Sequence, residues 1–353
     1  MNVKKILFLA ASTINLFIII LLFSFNSKAE ETNIKYYSDD KGILSLMYHR
    51  FDENKYPSTN IKMNIFKKQI KIIKDLKYNF YDPKNLEKNF HTPKIEKKIL
   101  ITIDDAFSSF YRNAWPYLKN ERIPFILFVS TETVGKNGYM TWSQIKELER
   151  EDVVYIGNHS HSHDYLVDMQ NNDFIDDINA SSSIFKEKLG YNPIFFSYPF
   201  GEYNSFIKKY ISKNFKFSFG QHSGVIDINK DRYELPRFPI NEKYGDLKRF
   251  EFLIKLNPFQ YKSLIPVEKY LTNSNNPPKF LVEFFDEQKN IYNINCFSDE
   301  GSSWKKSDIN IDKNTLSLNF RSKFNFRRGR INCSLNDDGM WRWFGVQFSV
   351  EQN

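Results

Sequence analysis

Apolar residues follow two different rhythms along this chain. Between about residues 41 and 218, short apolar runs alternate with stretches of helical spacing. Residues 43–47, 99–103, 125–129 and 153–156 read as buried strands, and 195–198 and 215–219 as shorter ones. Phe66, Ile70 and Ile73 recur at helical spacing, and Phe174, Ile178, Phe185 and Leu189 mark a helix stopped at Gly190. Strand–helix alternation predicts a parallel sheet, open or closed into a barrel, with its chemistry at the C-terminal ends of the strands.

After about Pro258 the rhythm changes. Residues 273–278 (Asn-Ser-Asn-Asn-Pro-Pro) are a cluster of breakers and read as a linker. Beyond them only strand patterns follow, at 280–285, 291–297, 315–320, 330–335 and 341–350, several with period two. That predicts an all-β module, a sandwich. Its two cysteines, Cys296 and Cys333, both sit in strand patterns and are expected to pair in an oxidising compartment.

With 353 residues and 41% hydrophobic content, the chain can build two cores. Net charge is +8, with three lysines before Ala29 and no dense Lys/Arg block, which argues against a nucleic-acid partner. Lys4 and Lys5, the apolar run over residues 6–25 and Ser27-Lys28-Ala29 read as an export signal cleaved after Ala29. An uncleaved membrane anchor is the alternative, because the run approaches the ~20 residues that span a bilayer. Either way a periplasmic or extracellular location is expected. The expected organisation is a signal over residues 1–29, an α/β domain over 30–265 and a β-sandwich over 266–353.

Three of the six histidines fall at 159, 161 and 163, just after a buried strand. If helical, His159 and His163 share one face and can grip a metal ion while His161 points away. Capping or surface roles fit an isolated pair equally well. The strand at 99–103 runs straight into Asp104-Asp105, and two carboxylates there are costly unless paired or metal-bound. Successive strand residues point opposite ways, so one acid can bind metal while the other serves as a base. Two His and one Asp leave a coordination position open, as in catalytic sites.

These segments resemble the polysaccharide deacetylases, also called the NodB-homology or carbohydrate esterase 4 family. Thr102-Ile103-Asp104-Asp105-Ala106 is similar to the family's T-F-D-D-G motif, His159–His163 to H-[S/T]-x-x-H, and Tyr198-Pro199-Phe200-Gly201 to P-[F/Y]-G. Leu235-Pro236-Arg237 resembles the segment that follows. His49, within Leu46-Met47-Tyr48-His49-Arg50, resembles a motif of the branch related to poly-N-acetylglucosamine deacetylases.

The resemblance implies a distorted (β/α) barrel, with Asp104 as general base and Asp105, His159 and His163 as ligands of a divalent metal, usually zinc. It implies an oxyanion site at the backbone N–H of Phe200, with Tyr198 beside it. For the general acid, His49 is favoured and His222 is the competitor, which otherwise shapes the cleft. Ala106 stands where the family has Gly, and Ser197 where many members have an Arg; Arg237 is the candidate to supply that charge. Trp341 and Trp343 face away from the apolar positions 344, 346, 348 and 350, and either stack on sugars or, the favoured reading, pack against the first domain or are simply core. The expected reaction is removal of N-acetyl groups from an N-acetylglucosamine-containing polysaccharide. The rivals are O-deacetylation and non-catalytic polysaccharide binding.

Overall fold

A computed structural model describes residues 41–285, 290–301 and 303–352. The expected signal or anchor at residues 1–29 lies outside them. Six parallel strands form the heart of a nine-stranded sheet: β1 (Ile43–Tyr48), β2 (Lys98–Ile103), β3 (Phe125–Val129), β4 (Val154–Asn158), β5 (Phe195–Ser197) and β6 (Phe217–Phe219), paired in that order. β1, β2 and β3 are buried almost throughout, which explains why they read as unbroken apolar runs.

The sheet curls because one segment meets both of its edges. Leu235 bridges Phe219 of β6, while Phe238–Pro239 pairs with Leu46 and Met47 of β1. The result is the expected distorted (β/α) barrel. Helices Met63–Asp75 and Asn171–Leu189 cover it where helical spacing predicted them. Gly190 ends the second in the left-handed region, φ 85°, as its position required.

Two further sheets make the sandwich. One contains Asn257–Pro258, Met340–Val350, Arg328–Asp337, Asn295–Asp299 and Lys305–Lys306, with Tyr270–Leu271 added on Met340–Val350. The other is Ser263–Ile265, Phe280–Glu283, Thr315–Asn319 and Asp308–Asp312. Phe280, Val282, Leu316 and Leu318 of the second pack with Ile331, Cys333, Phe344 and Phe348 of the first in one core. Cys296 and Cys333 face each other across adjacent strands and form a disulfide.

The breaker cluster at 273–278 is not a linker between domains. Asn257–Pro258 and Ser263–Ile265 already belong to the sandwich ahead of it, and the cluster is the turn that carries the chain from one sandwich sheet to the other. The described residues form one compact unit. At the seam Trp343 donates from Nε1 to Ser223 Oγ at 2.9 Å, and Gln347 Nε2 donates to the carbonyl of Phe200 at 3.0 Å. A side chain at Gly345 would come within 2.6 Å of the Ser223 carbonyl, so only glycine allows this approach.

Candidate active site

The parallel strands deliver their chemistry at their C-terminal ends. His49 follows β1, Asp104 and Asp105 follow β2, His159 follows β4, and Ser197 ends β5. Asp104 is fully buried, and so is Arg237. Arg237 grips it with two parallel bonds, Nη1 to Oδ1 at 2.7 Å and Nη2 to Oδ2 at 2.9 Å. The same guanidinium donates to Thr102 Oγ1, Ser197 Oγ and the Gly220 carbonyl, so all its nitrogens are satisfied. A buried ion pair survives only with such complete pairing. Ser197 is short enough to leave room for the guanidinium that arrives from the 237 loop. Burial pushes the Asp104 carboxyl up, but Arg237, His159 and His49 together hold it below its ordinary value.

Asp105 points elsewhere because its backbone turns to φ 73° directly after the strand. Its Oδ1 is buried without a hydrogen bond of good geometry, 3.1 Å from Nε2 of His163 and 3.5 Å from Nε2 of His159. The ligand atoms of Asp105, His159 and His163 all lie within 4.8 Å of one another. Nδ1 of His159 lies 2.7 Å from the Ser197 carbonyl, which can only accept, so Nδ1 carries the proton and Nε2 presents a lone pair. Burial drives the His159 pKa down to about 4, despite Asp104, so the ring is neutral at pH 7. This orphaned carboxylate oxygen beside two imidazoles fits a divalent cation.

The two histidines do not converge on a helix. Residues 159–163 form an irregular turn, with Ser160 at φ 67° and His163 at φ 61°. Local bonds stabilise it: Asn158 Oδ1 accepts from the N–H of Ser160, and Ser160 Oγ from that of His163. Asp177 accepts from the N–H groups of His161 and Ser162. His161 turns away to Thr131. With Asp105, Ala106 (φ 53°) and Phe200 (φ 58°), five non-glycine residues around the site hold left-handed backbone. Ala106 thus occupies a conformation that glycine adopts at no cost.

Nε2 of His49 stands 3.9 Å from Asp104 Oδ2. His222 lines the same cavity, and burial lowers its pKa to about 4. The charges that act on it are Glu234, Lys230, Lys269 and Arg237, and neither acid of the aspartate pair is among them. Phe200 stacks on Tyr165 with centroids 4.2 Å apart and meets the His163 ring edge-on at 4.9 Å.

Tyr198 does not contact the cavity. It is fully buried against Phe196 and Tyr203, and its hydroxyl donates to the Tyr233 carbonyl. Period two in the strand end sends it into the core with Phe196, while Phe200, two residues on and itself left-handed, reaches the site. Sequence reading missed Asp177, although an acid three residues after Phe174 on the apolar stripe of its helix was a usable signal. It also missed Trp304, Arg328 and Arg330, which line the same cavity of about 820 Å³ from the sandwich side.

Comparison with known proteins agrees with this geometry. Residues 91–216 match the polysaccharide deacetylase family. A poly-beta-1,6-N-acetyl-D-glucosamine N-deacetylase of Staphylococcus epidermidis is 24% identical over 259 residues, which is 65% of this chain and 88% of that protein. Among solved structures, IcaB from Ammonifex degensii superposes with a TM-score of 0.53 at 24% identity, covering 61% of this chain and 97% of that one. The Streptococcus pyogenes deacetylase PplD, solved with acetate, gives 0.55 at 21% identity, covering 61% and 99%. Residues 91–216 thus carry a polysaccharide deacetylase domain, and the barrel around them has the fold of these solved deacetylases.

Proposed function

We propose that this chain hydrolyses N-acetyl groups of an N-acetylglucosamine-containing polysaccharide, releasing acetate and leaving a free amine. One observation carries the reading: Asp105, His159 and His163 converge on a point beside an ionised, arginine-clamped Asp104, in a cavity large enough for sugar units. The resemblance to the staphylococcal poly-beta-1,6-N-acetyl-D-glucosamine N-deacetylase supports the substrate class.

Asp105, His159 and His163 would hold a divalent ion, zinc by the donor set, whose Lewis acidity polarises the amide carbonyl and acidifies water. Asp104 accepts the proton of the attacking water. Arg237 keeps it ionised and aimed. His49, close to the same carboxylate, donates a proton to the departing amine. The N–H of Phe200 serves the oxyanion. Residues 1–29 and the paired cysteines support export, to be checked by fractionating the native host.

Acetate release from an N-acetylglucosamine oligomer, with and without chelator, tests the proposal. Release only from O-acetylated sugars points to an esterase. Binding without release from either points to a non-catalytic carbohydrate-binding protein.

A further inference from the structure

The chemistry above uses one side of the cavity, and the sandwich supplies much of the other. Along Arg328–Asp337 alternate residues enter the sandwich core, Ile331, Cys333 and Leu335 among them. Arg328, Arg330 and Asn332 therefore face the other way, into the cavity. Arg249, on the helix Leu247–Leu253, and Lys243 join them from the barrel side. Apart from the ligand Asp105, no carboxylate lines the cavity among the described residues.

These cations are weakly neutralised. Nε of Arg328 lies 3.4 Å from Glu202, but Arg327 shares that carboxylate. Arg330 donates to the neutral Gln347 side chain, and Arg249 to the Tyr244 carbonyl. Among the described residues neither has a carboxylate within ion-pair distance. Burial, with Arg328 close by, pulls the Arg330 guanidinium below its ordinary range. Asp299 and Glu202 act on Arg330, and Asp246 on Arg249, only from beyond ion-pair distance. Partly buried guanidiniums with no carboxylate in contact are costly, and their planar fork matches carboxylate and phosphate. The Arg328 guanidinium is 5.6 Å from the Phe200 ring, which itself touches His163, so the cationic wall begins one aromatic ring from the metal ligands. Trp304 and Trp343 add flat faces suited to sugar rings.

We infer that the cavity selects a polysaccharide carrying an anionic group, a carboxylate or a phosphate ester, close to the N-acetylated sugar, with Arg330 and Arg249 as its main partners. The inference rests on the deacetylase reading. A neutral homopolymer would shield these guanidiniums from water without pairing them.

The test is equilibrium binding to the intact metal-loaded protein. Three oligosaccharides of equal length carry N-methanesulfonyl in place of N-acetyl, so that no turnover occurs. One is a neutral glucosamine oligomer, one alternates with glucuronic acid, and one bears 6-O-phosphate. We expect at least about 10-fold tighter binding of an anionic probe, equivalent to about 1.4 kcal/mol, and the two anionic arms separate carboxylate from phosphate. The preference should shrink at about 0.5 M salt, where the Debye length falls to about 4 Å. Arg330→Gln and Arg249→Gln, each checked for native melting, should cut the anionic-to-neutral affinity ratio several-fold, with Arg330→Lys retaining part. Equal affinity for all three probes, or a ratio unchanged in both Gln variants, overturns the inference. Acetate release from the N-acetylated counterparts is measured separately. Release without anionic preference removes the inference and leaves the activity; preference without release does the converse.

Discussion

At the end of the barrel, the deepest positions hold charges: Asp104 and Arg237 are both fully buried. In the sandwich, equal depth holds Cys296, Ile331, Cys333, Leu335 and Phe348. Apart from the buried Arg342–Asp337 pair, the sandwich core needs apolar area and complementary shape, so its apolar residues tolerate changes of similar volume. The barrel end tolerates few, because each buried charge is satisfied by particular atoms and losing one partner strands the other. Backbone follows the same division. Around the site five non-glycine residues take left-handed φ, whereas strands Arg328–Asp337 and Met340–Val350 are regular β throughout. The site is held in place against local preference, and the sandwich is built with it.

Replacing Asp104 probes that contrast most strongly. Asp104→Asn keeps the shape but cannot accept a proton, so turnover should fall by roughly 10²–10⁴-fold while metal stays bound. It also leaves Arg237 without its counter-charge, at a cost of up to about 3–5 kcal/mol. Rate, metal content and melting temperature are measured together; loss of metal with intact Asp105 would reverse the roles given to the two acids. His159→Ala or His163→Ala should lower metal content and rate in parallel, and full occupancy in both variants would remove the site.

The disulfide offers the matching perturbation in the sandwich. Cys296→Ala with Cys333→Ala should cost roughly 2–4 kcal/mol, with metal content retained. Mass spectrometry without reduction checks the pairing itself; two alkylatable thiols in the native protein would contradict it.

Acid should discriminate the two regions as well. In metal-free protein, folded His159 binds its proton only near pH 4, whereas the unfolded chain binds it near 6.5. The unfolded state therefore holds more protons in this window, and stability falls as pH drops from about 6.5 towards 4. Denaturant titrations of wild type and His159→Gln should show a shallower fall in the variant. Parallel curves would mean that His159 is not buried neutral.

The smallest expected effect concerns backbone strain. Ala106→Gly relieves the left-handed residue but loosens the unfolded chain, for a net gain of up to about 1 kcal/mol. A clear loss of stability would show that the Ala106 methyl group packs to more effect than its φ suggests.

The apolar runs at 43–47, 99–103 and 125–129 marked the parallel strands, because a strand buried on both faces admits little else. Asp104-Asp105 and the histidine cluster marked the site for the same kind of reason, since polar groups at the end of a buried strand need partners. What the chain's order could not reveal was who those partners are. Arg237 meets Asp104 from 133 positions away, and Asp177 reaches back 16 residues to shape a turn that spacing alone suggested as a helix. Tyr198 and Phe200 sit in one motif, yet a single left-handed turn sends one to the core and the other to the cavity. Arg330 read only as a polar position of the strand pattern at 330–335, and Arg328 lay just ahead of it; the seam at Gly345 and Ser223 decides that their face looks into the cavity rather than into water. Local pattern records how each residue is buried, because burial follows from its neighbours along the chain. Which groups share a site depends on loops and interfaces that join distant segments, and only the folded chain specifies those.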